Sequence, residues 1–380
     1  MNNQCLDSYT TTFGDCGDMR AYHEELSRNS LWQHCRVNDL CVMPLDRTSP
    51  LYESPDDFAE GTSATAIMDT ADNLGLAIRV DGSLYPVRTT AYKSLLDRAK
   101  ISGSALAKLK RPVLAEVLNE CLGIFSEEAL VLVRDEKVSA VHSGDESDYA
   151  VLPIDELLSS LQKKLDEKFP GNIFERGYTD HAVTSASWKM PGQKKELLDT
   201  YDDLLRAQGK AKIADKLMPG IRFTTSDTGV ASAKVAALLM GMQVPIPIGG
   251  CISVEHRHKK KVDDFDAALD QLFAQFTTSV ETLRGLLDIQ LAYPVNAMTR
   301  ICKSLHLPKK AALEAISMFE MSYGGGPATA HDVFLALQEI PFELKSEGAS
   351  ETRLLALEET MARILTLRWN DYDLAKAVDY

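Results

Sequence analysis

The sequence predicts an α+β fold: a mixed, largely antiparallel sheet domain with helices, followed by a C-terminal helical bundle. Three observations carry this reading. Apolar, β-branched runs flank short turns in "LAIRVDGSLYPV" and "ALVLVRDEKVSAVHS", which implies antiparallel hairpins. Helical spacing lies between such pairs, so strands and helices interleave. After Lys261 the strand patterns cease and helical ones continue to the end.

Residues 1–60 alternate polar clusters with Pro44, Pro50 and Pro55 and hold no sustained period. They predict an irregular N-terminal arm with one short helix near 19–34. Residues 61–261 form the mixed domain. Asp81-Gly82 supplies the positive φ of a tight turn. In "TTAYKSLLDRAK" Leu95 and Leu96 follow Tyr92 by three and four residues and share its helical face. Two further helical patterns, "SGSALAKLK" and "RPVLAEVLNECLGIF", come next, the second opened by Pro112 where a missing N–H costs nothing. After the second hairpin, "IDELLSSLQKKLDEKF" is helical until Pro170-Gly171. Strands at "NIFERGYTDHAVTSASW", a helix at "KKELLDTYDDLLRAQ" and strands at "GIRFTTS" and "CISVEHRH" complete the domain.

Residues 262–380 predict a helical domain. Phe265, Leu269, Leu272, Phe276, Val280, Leu283 and Leu287 recur at steps of three or four, the stripe of one long helix of about 45 Å. Four shorter helical patterns follow, at 294–305, 308–322, 328–346 and 350–369. A stripe of that length favours a second copy, so a homo-oligomer is expected.

Composition bounds the function. Apolar residues are 45% of the chain and charged residues 25%, as in a globular protein. No apolar run is long enough for a bilayer, and the first thirty residues lack an apolar block, so a cytoplasmic protein without a membrane partner is expected. Seven cysteines without CxxC spacing read as reduced thiols. Cys5, Cys16, Cys35 and Cys41, near His23 and His34, lack the close ligand pairs of a zinc knuckle. The net charge is −14, but unevenly spread. Residues 1–60 hold 11 acids and 4 bases, residues 61–261 hold 26 and 27, and residues 262–380 hold 18 and 10. A phosphate backbone is repelled by both flanks and tolerated only by the balanced middle.

GxxxxGK[ST], HExxH, GxSxG and GxGxxG are all missing from the sequence. No catalytic residue, metal or cofactor is therefore assigned. Gly324-Gly325-Gly326 reads as a helix breaker in preference to a phosphate cradle. His331-Asp332 lacks the partners of a helical phosphohydrolase site. His256 and His258, two apart on an expected strand, point the same way as metal ligands do, yet lie among cations. The chemistry that remains is basic. Lys93, Arg98, Lys100, Lys108, Lys110 and Arg111 form one cluster, and Arg257, Lys259, Lys260 and Lys261 a second. On one face they would form a nucleic-acid groove. Ser226, Asp227 and Gly229, with Arg222 nearby, make either a polar turn or an anion nest; serine and aspartate accept local N–H groups and glycine takes positive φ, so the turn is favoured.

The order of segments adds a resemblance. "YPVRTTAYKSLLDRAKISGSALAKLKRPVLAEVLNECLG", then "VHSGDESDYAVLP", then "GIRFTTSDTGVASAKVAALL" resemble the phage/plasmid-like family filed as domain of unknown function 932, over about residues 75–375. The resemblance implies a mobile-element gene in a bacterial host, in a family without an established activity. Many such genes handle DNA in replication or recombination. The expectation is thus a non-catalytic protein that binds nucleic acid, single-stranded DNA in particular, through the two basic clusters. The alternative is a protein-binding factor of host takeover or counter-defence, with phage or host proteins as partners of its acidic flanks.

Overall fold

The computed structural model describes residues 3–324 and 326–380. In chain order its longer strands are β1 (Thr10–Phe13), β2 (Leu31–Arg36), β3 (Cys41–Pro44), β4 (Leu76–Val80), β5 (Ser83–Pro86), β6 (Glu128–Arg134), β7 (Lys137–Ser143), β8 (Ile173–Asp180), β9 (Thr184–Lys189), β10 (Met218–Thr225), β11 (Ala233–Met240) and β12 (Ile246–Val254). Every pairing between them is antiparallel. They form a six-stranded sheet, β1-β8-β9-β10-β11-β12, and two three-stranded sheets, β2-β6-β7 and β3-β4-β5. The fold is α+β, with a helical C-terminal region.

Both hairpins turn where the residues require it. Asp81 (φ 47°) and Gly82 (φ 81°) join β4 to β5, and Asp135 (φ 48°) and Glu136 (φ 70°) join β6 to β7. Two successive positive φ values match the right-handed twist of the flanking strands. The smaller sheets enclose a first core with helices Ala91–Arg98 and Arg111–Leu122, built on Ile78, Val80, Leu95, Leu118, Val131 and Val141.

The six-stranded sheet has one apolar face. Alternation sends Trp188, Ile221, Phe223, Val235, Ala237 and Ile252 into a second core. Helices Ile154–Lys168 and Lys194–Ala207 cover it together with Val262–Leu269 and Leu272–Gly285. The core is continuous across Lys261, so the division expected there does not separate two cores. The sequence break marks a change from strands to helices only.

Three other expectations are corrected. Residues 1–60 are not an irregular arm: β1 pairs with β8, β2 with β6 and β3 with β4. These strands are short, half-exposed edge strands, so they carry no apolar alternation to read. The segment 102–110 holds only a 3₁₀ turn, Leu106–Lys108. The long helix is two, Val262–Leu269 and Leu272–Gly285. Asp270 is held at the break by Lys164 and Lys168, each 3.0 Å from its carboxylate, while Lys168 also reaches its backbone carbonyl. The stripe from Phe265 to Leu287 is buried in the chain's own core, which removes the reason given for a second copy. Among the described residues no helix is long and apolar enough to cross a membrane.

Candidate functional site

The turn after β10 is a corner made by its own side chains. The Ser226 hydroxyl donates to the Ala182 carbonyl (2.5 Å) and accepts the N–H groups of Thr228 (3.1 Å) and Val230 (3.2 Å). Gly229 takes φ 75°, as a polar turn of this kind demands. Ser226 is thus saturated within the chain. The Asp227 carboxylate, buried, meets the partly buried Arg134 of β6 at 2.7 Å and so ties the large sheet to the smaller one.

Behind the corner lies a stack of rings. The Asp227 carbonyl accepts from His142 Nε2 (2.8 Å) and from the Tyr149 hydroxyl (2.9 Å). A carbonyl only accepts, so Nε2 carries the imidazole proton and Nδ1 keeps a lone pair. Tyr149 lies flat on His142, ring centres 3.6 Å apart at 6°, and nearly parallel to His256 at 5.7 Å; Trp32 of β2 closes the far side. Burial pulls His142 down to about 4 although the Asp227 carbonyl and carboxylate favour its proton. Burial also lowers His256 and drives the Tyr149 phenol well above its usual value. The rings are neutral at pH 7.

In front of the corner is a cleft of about 400 Å³ between the two cores. Its walls bring together Lys93 and Arg98 from helix Ala91–Arg98, Arg257 from just beyond β12, His142, Gly229 and Ser232. Among the described residues Lys93, Arg98 and Arg257 form no ion pair with a carboxylate, and Arg98 Nε is buried without a hydrogen-bond partner. His142 Nδ1 likewise has no partner there. Asp97, Asp148 and Glu255 share the walls, so the cleft balances charge while its cations stay open. Convergent polar atoms and perturbed titrating groups in one cleft make it the candidate binding site of the chain.

The rest of the basic clusters scatters. Lys100 pairs with Glu127 (2.7 Å) and lies over the Phe125 ring; Lys108 and Lys110 project into solvent; Arg111 packs against Gly75. Lys260 pairs with Asp264 (2.9 Å), and Lys259 and Lys261 are exposed outside the cleft lining. One continuous face from both clusters is therefore not formed. Arg222 does not serve the turn either: on the outer face of β10 it pairs with Glu358 at 2.5 Å.

His256 and His258 do not point together. His256 is buried, donating Nδ1–H to the Ala150 carbonyl (3.2 Å) with Nε2 beside Thr225, whereas His258 is exposed in a left-handed turn. Among the described residues no three His, Cys, Asp or Glu side chains cluster as metal ligands, and the cysteines are free thiols. His331 bonds Tyr201 (2.6 Å), and Asp332 caps its own helix and pairs with Lys210 (2.7 Å). Gly324 ends helix Lys309–Tyr323 in the left-handed conformation, while Gly325 lies outside the described residues. His142, Tyr149 and Trp32 went unread in the sequence. Their only local signal is a histidine closing the apolar run of β7. Comparison of the chain with protein-family models, curated proteins and solved structures gives no match, so the resemblance to domain of unknown function 932 stands on its residues alone.

Proposed function

We propose that the protein is a non-catalytic binder of single-stranded nucleic acid, with the cleft beside Gly229 as its phosphate-binding site. The observation that carries this reading is the meeting of Lys93, Arg98 and Arg257, from stretches of sequence far apart, on one cleft without carboxylate partners. Guanidinium groups suit phosphate because their planar forks donate in pairs. Ser143, Thr228 and Ser232 add hydroxyls to the same walls. A volume near 400 Å³ suits one nucleotide unit and is too small for a duplex. The mobile-element resemblance agrees with a role in handling single strands.

The test is anisotropy of a labelled oligothymidylate across salt concentrations. Three neutralised phosphates predict a slope of log affinity on log salt of about −2. Replacing Lys93, Arg98 and Arg257 together by alanine should weaken binding at least about tenfold and flatten that slope. No binding by the wild type at low salt, or an unchanged triple variant, would refute the proposal.

A further inference from the structure

We infer that the outer face of the six-stranded sheet continues the strand path from the cleft, and that Glu358 and Glu359 occupy its cations as acidic competitors. This rests on the reading of the cleft as a phosphate site. Alternation that buries Ile221, Phe223, Val235 and Ile252 turns Arg222, Thr224, Lys234 and Ser253 outward. The two regions join at Ser232. Its side chain lines the cleft and bonds Ser253 (2.8 Å), which lies opposite Lys234. From Lys234 the register leads through Thr224 and Arg222 on β10 to Ser185, Ser187 and Lys189 on β9, then to Tyr178 and Arg176 on β8.

Strand rise and spacing put Ser232 about 20 Å from Arg176 along this diagonal. That length fits the shorter sites of sheet-based single-strand binders, on the order of four nucleotides. Cations and hydroxyls share the diagonal, Thr224, Ser185 and Ser187 being buried on the floor of the cavities that Arg222, Lys234 and Lys189 line.

Helix Glu351–Ile364 lies across the β10–β12 part of the face. Glu358 meets Arg222 at 2.5 Å, and Glu359 pairs with Lys234. Cavities of about 610 and 370 Å³ flank these contacts, so the helix does not fill the face as it fills the core with Met361 and Ile364. Burial pushes the Glu358 carboxyl up despite Arg222, so this carboxylate is poorly solvated where it sits. A phosphate entering these cavities replaces carboxylate on Arg222 and Lys234, whose side chains are only 12% and 13% exposed beneath the helix. On the uncovered part Lys189 is paired with Glu175 (2.5 Å), whereas Arg176 is exposed and has no ion pair among the described residues.

The experiment compares two labelled oligothymidylates, one of about two nucleotides, too short to leave the cleft, and one of about 20 that reaches the sheet. Glu358→Gln with Glu359→Gln should tighten the long oligonucleotide about tenfold and leave the short one unchanged. Arg176→Ala, at an exposed position that does not support the core, should weaken the long one only. If the long oligonucleotide responds to neither variant while cleft variants still abolish binding, the sheet path is refuted and the cleft stands. Equal effects on both lengths also refute it. If no oligonucleotide binds any form at low salt, the cleft reading falls and this inference with it.

Discussion

Asp227 shows how one residue can look like chemistry and serve architecture. Its carboxylate neutralises Arg134 and its carbonyl holds His142 and Tyr149, so it fixes the back wall of the cleft without facing a ligand. Asp227→Ala leaves the partly buried Arg134 guanidinium without its carboxylate, which costs about 2 kcal/mol. Urea unfolding should show that loss, whereas Arg257→Ala, at an exposed rim position, should change stability by less than about 0.5 kcal/mol. An equal and small effect of both would mean that Asp227 is not the tie described. The turn itself was legible, because serine, aspartate and glycine at this spacing encode a corner by local bonds alone. The fate of Arg222 was not, because Glu358 lies 136 residues away. Lys93, Arg98 and Arg257 were legible as cations, but not which of the ten basic residues would meet.

Elements were readable where a turn residue or a period specified them and unreadable where a partner did. Asp81-Gly82 and Arg134-Asp135-Glu136-Lys137 announce their hairpins, and the helices Arg111–Leu122 and Ile154–Lys168 announce their apolar faces. β11, "AKVAALLM", is an apolar run with no alternation, equally suited to a buried helix, and only its place between β10 and β12 decides. The N-terminal segment is the clearest failure. What holds its start is a buried charge network: Lys137 meets Asp7 (3.1 Å) and Asp69 (2.5 Å), and Arg88 meets Asp7 (3.6 Å) and the Leu6 carbonyl (3.2 Å). Lys137→Met strips two buried carboxylates of a partner and should cost about 3 kcal/mol. Hydrogen exchange should then quicken first in residues 3–9. Adding Asp69→Leu should recover part of the loss, since an apolar pair of similar volume tolerates burial better than one unpaired charge. Failure of the second change to help would show that the network is not acting as a charge pair.

At the scale of the whole molecule, two cores and the C-terminal helices share one device, the histidine buried neutral. Burial holds His23, His181 and His331 at about 3 and His142 at about 4, and these four lie at β8–β9, at the chain start, in the helical region and at the cleft. The ordinary value is about 6.5, so between pH 6.5 and 4 the unfolded chain binds protons that the folded chain refuses. Stability therefore rises with pH across that window and is lost as pH falls through it, by up to about 1.4 kcal/mol per pH unit for each histidine. Two sets of carboxyls act as well. Glu339, Glu358, Asp135 and Asp202, pushed up by burial, favour folding on acidification from above the ordinary carboxylate range downward and so offset part of the histidine effect. Asp332 is pushed up by burial, yet Lys210, Thr329 and Tyr323 together hold it at about 2, so its contribution is lost below that range. Melting temperature should be flat above pH 7 and fall steadily from pH 6.5 to 5. A flat profile down to pH 5 would mean that these imidazoles take up protons inside the fold, and the tautomer that leaves His142 Nδ1 open to the cleft would go with it.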